Sequence, residues 1–387
     1  MTDRIERAPE IHSARDPKSP PHEPVASPVA VPAARIGWKE IGLQFKADML
    51  SKEVQTSATY SYQWVACETG HLGLGLVAFF AVRSLSGWLF GWPDWLALLL
   101  VAAAAIGKEI YDVYETNKAI GNAFDARLDK RTVRVDALLA VLYMVAGAVL
   151  AFGVADNWPF WSYLLCLAPL VAVTPWALSQ KMYFQQAGLP YLFRLPEFAA
   201  PLDRAAVVVI KDFLRDVGRP QPRHLVVLGP LRAGKTSLAV GIGTEAAFMS
   251  KVVRYLSFAK LCEIGMGAEP PAPRNTVLWW WRQSQLVIID DVARALDLFR
   301  KNRAHSSLSD ATREVRDELA RRHAIWVIDD EGGKAAAVQW STMIQRALGL
   351  PESDIAWVTV AQSAGTGKAL SLTGASPASP TAREVAA

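Results

Sequence analysis

The chain has 387 residues, of which 51% are hydrophobic and only 20% are charged. This composition is more apolar than that of an ordinary soluble enzyme, and it indicates a membrane protein with a soluble part. The net charge of +4 is small for this length, so bulk charge does not indicate a nucleic-acid-binding protein. Nucleic acid stays open as a partner, but composition does not point to it.

The N-terminal part of the chain is predicted to lead up to a membrane. Residues 1–35 are rich in proline, serine and alanine, which predicts a disordered tail. Residues 36–71 have a mixed amphipathic character and are interpreted as a juxtamembrane segment. This segment carries aromatic side chains of the kind that anchor a protein at a membrane interface, namely Trp38, Phe45, Tyr60, Tyr62 and Trp64.

A run of apolar segments fills residues 72–178. Each is close to the ~20 residues that a helix needs to cross about 30 Å of hydrocarbon. The first segment is joined to the second, and the third to the fourth, by links that are too short for anything but helical hairpins. The pattern therefore predicts an α-helical transmembrane bundle of about four helices, at 72–92, 94–112, 136–155 and 159–178.

The positions of the basic residues predict the topology of this bundle. Neither hairpin link carries a Lys or an Arg, whereas the connection between the hairpins carries Lys108, Lys118, Arg127, Lys130, Arg131 and Arg134. The positive-inside rule then places both termini in the cytoplasm of a multi-pass protein, most simply in a bacterial inner membrane. Arg83 in the first segment has three interpretations: it snorkels to the interface, faces a neighbouring helix, or conducts or senses ions.

The second half of the chain has a different character. Residues 179–201 are an aromatic connector interrupted by prolines, residues 202–361 alternate between helical and strand patterns, and residues 362–387 are predicted to be a disordered tail. The short apolar runs predict buried parallel strands at 224–228, 252–256, 286–290, 324–329 and 355–360. Helices are predicted at 203–216, 235–249, 257–265, 309–322 and 337–348. The pattern is that of an α/β domain with a parallel sheet.

The sequence GPLRAGKT, Gly229 to Thr236, satisfies the GxxxxGK[ST] pattern of a phosphate-binding P-loop, with an apolar strand before it and a helical pattern after it. Lys235 is expected to bridge the β- and γ-phosphates and so contribute to catalysis, and the Thr236 hydroxyl is expected to ligate Mg²⁺. The sequence predicts ATP and Mg²⁺ as cofactors, with GTP left open. The predicted nucleotide-binding residues are Gly229, Arg232, Ala233, Gly234, Lys235, Thr236 and Ser237.

A second motif, QLVIIDD at 285–291, has the form of a Walker B strand that delivers carboxylates at its C-terminal end. Asp290 is predicted to hold Mg²⁺, and Asp291 is predicted to be the catalytic carboxylate that orients or deprotonates water. The gap between the two motifs favours another strand inserted between their strands.

A later strand ends in Asp329 and Asp330, which are the alternative catalytic pair. In that alternative, Asp290 has a structural role. Candidate arginine fingers are Arg313, Arg316, Arg321, Arg322 and Arg346.

Taken together, VVLGPLRAGKTSLAVGIGTEAAF, VVRYLSFAKLCEI and QLVIIDDV resemble the ATPase core of the IstB/DnaC type, the AAA+ helpers of transposases and helicase loaders. The resemblance covers about Arg223 to Val292. It implies a P-loop NTPase fold in which Lys235 and Thr236 bind phosphate and Mg²⁺. It also implies that Asp290 and Asp291 form the acidic pair.

The function expected from the sequence is a membrane-anchored, AAA+-like ATPase that hydrolyses Mg-ATP to remodel or move a partner at the cytoplasmic membrane face. Its expected partners are the nucleotide, the lipid bilayer, and further copies of itself or another member of a membrane complex. One alternative is a nucleotide-gated switch in signalling or defence, without fast turnover. Another is a DNA-translocation coupling ATPase. The run Trp279 to Trp281 adds a candidate contact surface.

Overall fold

The computed structural model describes residues 35–50, 59–119, 127–198, 202–265, 267, 281–302, 304–305 and 307–361. The predicted tails, except for Arg35, lie outside these residues, as do Trp279 and Trp280. The described part is mostly helical, with three long apolar helices and a five-stranded parallel sheet. This architecture confirms the coarse prediction of apolar helices followed by an α/β region.

The N-terminal region consists of α1 (Trp38–Leu50), α2 (Tyr60–Phe90), α3 (Asp94–Ala119), α4 (Arg127–Ala155) and α5 (Phe160–Gln186). Both predicted hairpin links are present, and the first begins at Gly91, which ends α2 in a left-handed conformation with φ 64°. The segment 36–71, predicted to be juxtamembrane, is continuous with the first apolar helix at residues 60–71. Helix α2 already begins there because the Thr59 hydroxyl caps it by accepting a hydrogen bond from the Tyr62 N–H.

The predicted interfacial aromatic residues do not share one environment. Trp38 is 74% exposed, and Phe45 and Tyr62 are also exposed, as an interfacial position requires. Trp64 is buried and lies edge-on to Tyr143 of α4, with ring centroids 6.5 Å apart. Tyr60 packs edge-on against a ring of α5. Trp64 and Tyr60 therefore stabilise the bundle rather than anchor it.

Three helices are long and apolar enough to cross a membrane: α2, residues 134–155 of α4, and α5. The fourth predicted span, 94–112, lies in α3, which does not meet this description. Charged residues interrupt its apolar stretch, where Lys108 pairs with Glu109 at 2.6 Å and with Asp112 at 2.8 Å. Three of the four predicted spans therefore lie in helices that are long and apolar enough to cross a membrane, and the fourth does not.

Helices α2 and α4 approach each other closely through glycine. A Cβ atom at Gly75 would overlap the Met144 carbonyl group, and one at Gly147 would overlap the Leu72 carbonyl group. Small residues of this kind let helix backbones approach one another where helices pack in an apolar environment. The α2–α4 contact is thus the centre of the bundle, and α3 and α5 pack around it.

Arg83 faces a neighbouring helix. Its Nε atom lies 2.9 Å from Oδ1 of Asp94, the first residue of α3, and both side chains are partly exposed. The pair joins the last turns of α2 to the start of α3 next to the hairpin link. Among the three interpretations of Arg83, the bundle-facing one describes the structure.

The α/β region contains α6 (Arg204–Asp216), β1 (His224–Gly229), α7 (Lys235–Phe248), β2 (Val253–Ser257), α8 (Phe258–Gly265), β3 (Leu286–Asp290), α9 (Val292–Lys301), α10 (Leu308–Ala311), α11 (Arg316–Ala320), β4 (His323–Asp329), α12 (Gly333–Leu348) and β5 (Ile355–Thr359). The strands are parallel in the order β2-β3-β4-β1-β5. All five predicted strands are present, and β4 is the strand inserted between the two motif strands, as expected. Parallel strands end at one edge of a sheet, so the two motifs lie on the same edge.

Two helix predictions fail in the α/β region. The single helix predicted at 309–322 is interrupted between α10 and α11 by a 3₁₀ turn at Arg313–Val315. Thr312 lies at this break, and its hydroxyl donates to the Leu308 carbonyl oxygen at 2.9 Å, a local bond that competes with helix continuation. Helix α9 was not predicted, although its apolar and charged residues alternate with helical spacing.

Helix α5 continues well past the predicted boundary at residue 178 and joins the bundle to the sheet. Its last turns are buried because Phe184 stacks on Phe248 of α7, with ring centroids 5.7 Å apart. Lys181 is also buried and contacts both carboxylate oxygens of Asp136 at 2.8 Å. The first third of the predicted connector is therefore a helix that docks on the α/β core.

Candidate functional site

The segment between β1 and α7 forms a tight turn around the predicted P-loop. Arg232 and Gly234 both have left-handed backbones, with φ 65° and φ 92°. A glycine adopts this conformation without strain, whereas Arg232 adopts it at a cost. Gly229 at the end of β1 lies directly against the Val360 carbonyl group, which leaves no room for a side chain. The loop therefore has the sharply curled backbone that the sequence pattern predicts.

The N-terminus of α7 points its free donors at this loop. The N-cap is Gly234, which has no side chain to accept from the N–H groups of the first turn. That turn includes Lys235, Thr236 and Ser237. Unpaired N–H groups and the partial positive charge of a helix N-terminus favour an anion. The backbone of the loop thus fits a phosphate group.

Lys235 is buried at the start of α7, with only 4% of its surface exposed. Its ammonium group lies 2.7 Å from Oδ1 of Asp329, at the end of β4, and donates to the Pro230 carbonyl oxygen at 2.5 Å. A buried charge of this kind requires a partner, and here the partner is a carboxylate. A phosphate bound at the loop would compete with Asp329 for the same ammonium group.

Asp290 and Asp291 lie at the end of β3. Asp290 is buried, its Oδ2 accepts from the Tyr255 hydroxyl at 2.6 Å, and its Oδ1 accepts from the Asp291 N–H at 2.8 Å. Asp291 is exposed and begins α9 with a left-handed backbone, φ 59°. Asp290, the predicted metal ligand, is thus held in one orientation, and Asp291, the predicted catalytic carboxylate, is open to solvent.

The carboxylates at this sheet edge affect one another. Partial burial and the negative charges of Asp290 and Asp329 raise the pKa of Asp291, and Arg294 only partly opposes them. Burial and the hydrogen bond to Asp290 raise the pKa of the Tyr255 hydroxyl, so Tyr255 stays protonated and remains a donor. The carboxylates favour a divalent cation, whereas the lysine and the helix N-terminus beside them favour an anion such as phosphate.

The alternative acidic pair is divided between two roles. Asp330 accepts from the Trp340 indole N–H and from the Gly332 N–H, each at 2.8 Å. These bonds engage both of its carboxylate oxygens. Asp329 alone contacts the P-loop lysine. Both oxygens of Asp290 also accept hydrogen bonds, so both acidic pairs stay candidates, and Asp329 is the carboxylate that contacts Lys235.

Two of the candidate arginine fingers have partners within their own chain. Arg313 contacts Asp310 at 2.7 Å, and Arg322 is buried, where it contacts Glu318 at 2.6 Å and the Arg282 carbonyl oxygen. Arg322 also lies over the ring of Trp281, which is buried. Arg322 and Trp281 are thus structural and do not provide a surface for a partner.

Sequence reasoning missed a set of contacts that the connector makes with the P-loop helix. The Tyr191 hydroxyl lies 2.9 Å from Oγ of Ser237, and Phe198 lies against Gly234. Arg194 contacts Glu245 of α7 through its Nε atom at 2.8 Å. The sequence shows an aromatic connector at 179–201 but does not show what its aromatic residues contact. Their partners are about forty to fifty residues away, and no spacing rule indicates such pairs.

No protein-family model matches the chain, and no curated protein sequence is significantly similar to it. Within the described residues, no group of three or more His, Cys, Asp or Glu side chains is arranged to hold a metal ion. A magnesium ion at Thr236 and Asp290 would thus need phosphate and water oxygens to complete its coordination, which is how Mg²⁺ is usually bound beside a nucleotide.

Proposed function

We propose that the chain is a membrane-anchored P-loop ATPase, similar in its core to AAA+ proteins, that binds Mg-ATP and hydrolyses it to move or remodel a partner at the cytoplasmic membrane face. The observation that carries this proposal is the shared sheet edge. The glycine-rich loop follows β1, Asp290 ends β3, and β4 between them supplies the carboxylate that contacts Lys235. In this arrangement phosphate, metal and water sites are adjacent.

Each residue of the site has a separate task in the proposed reaction. The N–H groups of the curled loop and the first turn of α7 bind the phosphates, and Lys235 exchanges Asp329 for a phosphate oxygen. Thr236 and Asp290 hold the metal, directly or through water. Mg²⁺, when bound, neutralises charge on the phosphates. Asp291 is exposed beside Asp290, and its raised pKa suits a residue that accepts a proton from water.

The membrane anchor rests on the apolar helices. Large apolar side chains on their surfaces point away from the bundle, including Trp88 at 81% exposure and Phe160 at 77%. Such a surface is expected in lipid and is costly in water. We include α3 as a fourth span whose charged residues, from Lys108 onward, lie at the cytoplasmic end. The basic residues between the hairpins then orient both termini and the ATPase domain toward the cytoplasm, as in a bacterial inner-membrane protein.

A nucleotide-gated switch is the second candidate, and two features of the structure favour it. Lys235 is held by Asp329 through a direct ion pair that phosphate must displace. Helix α5 runs without interruption from the bundle to the α/β core, so a change at the nucleotide site has a mechanical route to the membrane helices. Binding alone, without fast turnover, would be sufficient for such a switch.

The test is to measure nucleotide binding and ATP hydrolysis with the full-length protein purified in detergent, with and without DNA. The variants are Lys235→Ala and Asp291→Asn, and the control is Lys251→Ala, which changes a lysine at the opposite edge of the sheet. We expect Lys235→Ala to lose binding and turnover, and Asp291→Asn to keep binding but lose turnover by at least about 100-fold, the size of a general-base contribution. Lys251→Ala should resemble the wild type.

The remaining outcomes separate the functional classes. Tight binding without turnover in the wild type would replace the ATPase by the switch. Turnover that DNA stimulates, with a strong dependence on salt, would instead favour a DNA-translocating ATPase. If the wild type binds no nucleotide, both the ATPase and the switch are wrong.

A further inference from the structure

Tyr255 contacts the candidate metal ligand and the end of a membrane helix at the same time. Its hydroxyl donates to Oδ2 of Asp290 at 2.6 Å. Its backbone N–H donates at 2.9 Å to the carbonyl oxygen of Ala187, the residue that caps the C-terminus of α5. Among the residues assigned to the site above, none has both of these contacts, and Tyr255 belongs to neither sequence motif.

The sheet explains why the Tyr255 hydroxyl reaches Asp290. Strands β2 and β3 are paired so that Tyr255 is opposite Ile288, and Ser257 is opposite Asp290. Tyr255 is thus a diagonal neighbour of Asp290 on the same face of the sheet, a separation that an aromatic side chain can span. Register therefore fixes the contact, and the partly buried ring, which packs against the core, holds the hydroxyl in place.

The bond controls the direction in which the Asp290 carboxylate points. Oδ1 accepts from the Asp291 N–H and Oδ2 accepts from Tyr255, so neither oxygen can rotate without losing a hydrogen bond. Each oxygen keeps a further lone pair for a metal ion or its water. Partners of a metal ligand that act in this way set its orientation, and their loss weakens metal binding.

Strand β2 is also fixed to the end of α5 by two neighbouring bonds. The Tyr255 N–H binds the Ala187 carbonyl oxygen, and Arg254 donates to the Gln186 carbonyl oxygen at 3.3 Å. The last carbonyl groups of a helix lack partners within the helix, so β2 supplies partners that α5 needs. A shift of the Asp290 carboxylate is thus connected to the end of α5 through one residue.

We propose that Tyr255 is a positioning residue that orients Asp290 for Mg²⁺ and ties that orientation to the end of α5, so that metal-nucleotide binding and the position of the apolar helix are coupled. This inference rests on the proposed nucleotide-binding function. It adds a specific route from the metal site to the bundle.

The first test compares Tyr255→Phe with the wild type in the full-length protein, using a fluorescent ATP analogue as the probe. The variant removes one oxygen and keeps the ring. We expect the Mg²⁺ concentration for half-maximal binding to rise by roughly 10- to 100-fold, the usual effect of losing a partner of a metal ligand. Affinity for the analogue in EDTA should be unchanged, which a general structural defect would not produce.

The matched control is Tyr143→Phe, which also removes a tyrosine hydroxyl that has a hydrogen-bond partner, Thr174, but lies within the bundle. Its Mg²⁺ midpoint should equal that of the wild type. An unchanged midpoint in Tyr255→Phe, with binding intact in the wild type, would overturn the role of Tyr255 and leave the proposed function in place. A wild type that binds no nucleotide would overturn both.

The second test needs only one variant and detects the coupling itself. Amide hydrogen exchange is measured over residues 180–190 and 253–257, with the analogue in EDTA and with the analogue plus saturating Mg²⁺. We expect adding Mg²⁺ to change exchange in both segments of the wild type, and to change exchange at 180–190 much less in Tyr255→Phe. If Mg²⁺ leaves residues 180–190 of the wild type unaffected, the coupling is wrong, whatever the stability of the variant.

Discussion

The bundle and the α/β region are built from the same apolar residue types but use them in opposite ways. Strands β1 and β3 bury all of their residues, and helices cover both faces of the sheet. In the apolar stretches of α2 and α5, only 17% of residues are buried, against 44% in the central α4 stretch. The α/β region hides its apolar surface within one chain, whereas the outer helices of the bundle do not.

This difference shows that apolar composition alone does not indicate whether a region is surrounded by water or by lipid. The placement of the apolar side chains, buried or exposed, does indicate it. A sheet whose two faces are both covered by helices removes its apolar side chains from water without help from other molecules. A bundle whose outer helices expose large apolar side chains is complete only if something apolar surrounds it. The substitutions below use this contrast, because the same chemical change should have opposite consequences in the two regions.

The largest effect is expected when an aspartate replaces a valine in the sheet. Val227 of β1 is fully buried, so Val227→Asp places a charge in a core without a partner and should cost more than about 4 kcal/mol. We expect the α/β region to unfold, with loss of its thermal transition and rapid proteolysis. A folded Val227→Asp protein would contradict the burial of β1.

The same valine-to-aspartate change at two exposed positions tests whether each position is in contact with lipid or with water. Val171 of α5 and Val208 of α6 are 69% and 56% exposed, so neither change leaves a cavity. In a bilayer, Val171→Asp should cost roughly 2.5–3.5 kcal/mol and reduce the fraction of protein that resists alkaline extraction from membranes. Val208→Asp should leave membrane association unchanged. Equal behaviour of the two variants would overturn the membrane anchor.

The next effect concerns the contact that holds the bundle together. Gly75→Leu forces a side chain into the space occupied by the Met144 carbonyl group, whereas no described atom lies within 4 Å of a Cβ placed at Gly73. We expect Gly75→Leu to lower the stability of the purified protein by about 3 kcal/mol, because α2 and α4 must separate. Gly73→Leu on the same helix is the matched control and should be nearly neutral in a thermal unfolding assay.

The α/β region was the easier half to predict. Its five strands are short apolar runs with clear boundaries, and their predicted ends differ from the structure by one residue at most. The bundle was harder because hydrophobicity does not say where a helix ends. Helix α5 continues to Gln186 since Phe184 packs in the core of the α/β region, which depends on the fold of residues far along the chain.

The site was predictable in its motifs and unpredictable in its contacts. The turn at Gly229 to Thr236 and the strand ending at Asp290 follow from local patterns. The Lys235–Asp329 ion pair and the Tyr255–Asp290 hydrogen bond join residues whose proximity is fixed by strand order and register. Those properties emerge only when the sheet is assembled, so no local pattern in the sequence carries them.

The smallest effect is a gain in stability at the site itself. Partial burial and the nearby carboxylates raise the pKa of Asp291, so the native state holds its proton more tightly than the unfolded state does. The free energy of unfolding then falls as the pH rises from the ordinary value of 3.8 through the raised value, and the ionised Asp291 is destabilising at neutral pH. Its left-handed backbone also suits asparagine.

Asp291→Asn should therefore raise the thermal midpoint slightly at pH 7, in the variant that is expected to lose turnover. Asp297→Asn is the control, because Asp297 is on the same helix and contacts Arg300 at 3.6 Å, so it should give no gain. The gain from Asp291→Asn should shrink as the pH falls toward 3.8, where Asp291 of the wild type also becomes neutral. A lower midpoint at pH 7 would show that Asp291 stabilises the fold. A gain in stability from Asp291→Asn would show that Asp291 destabilises the protein where it stands, a property that catalytic residues commonly have.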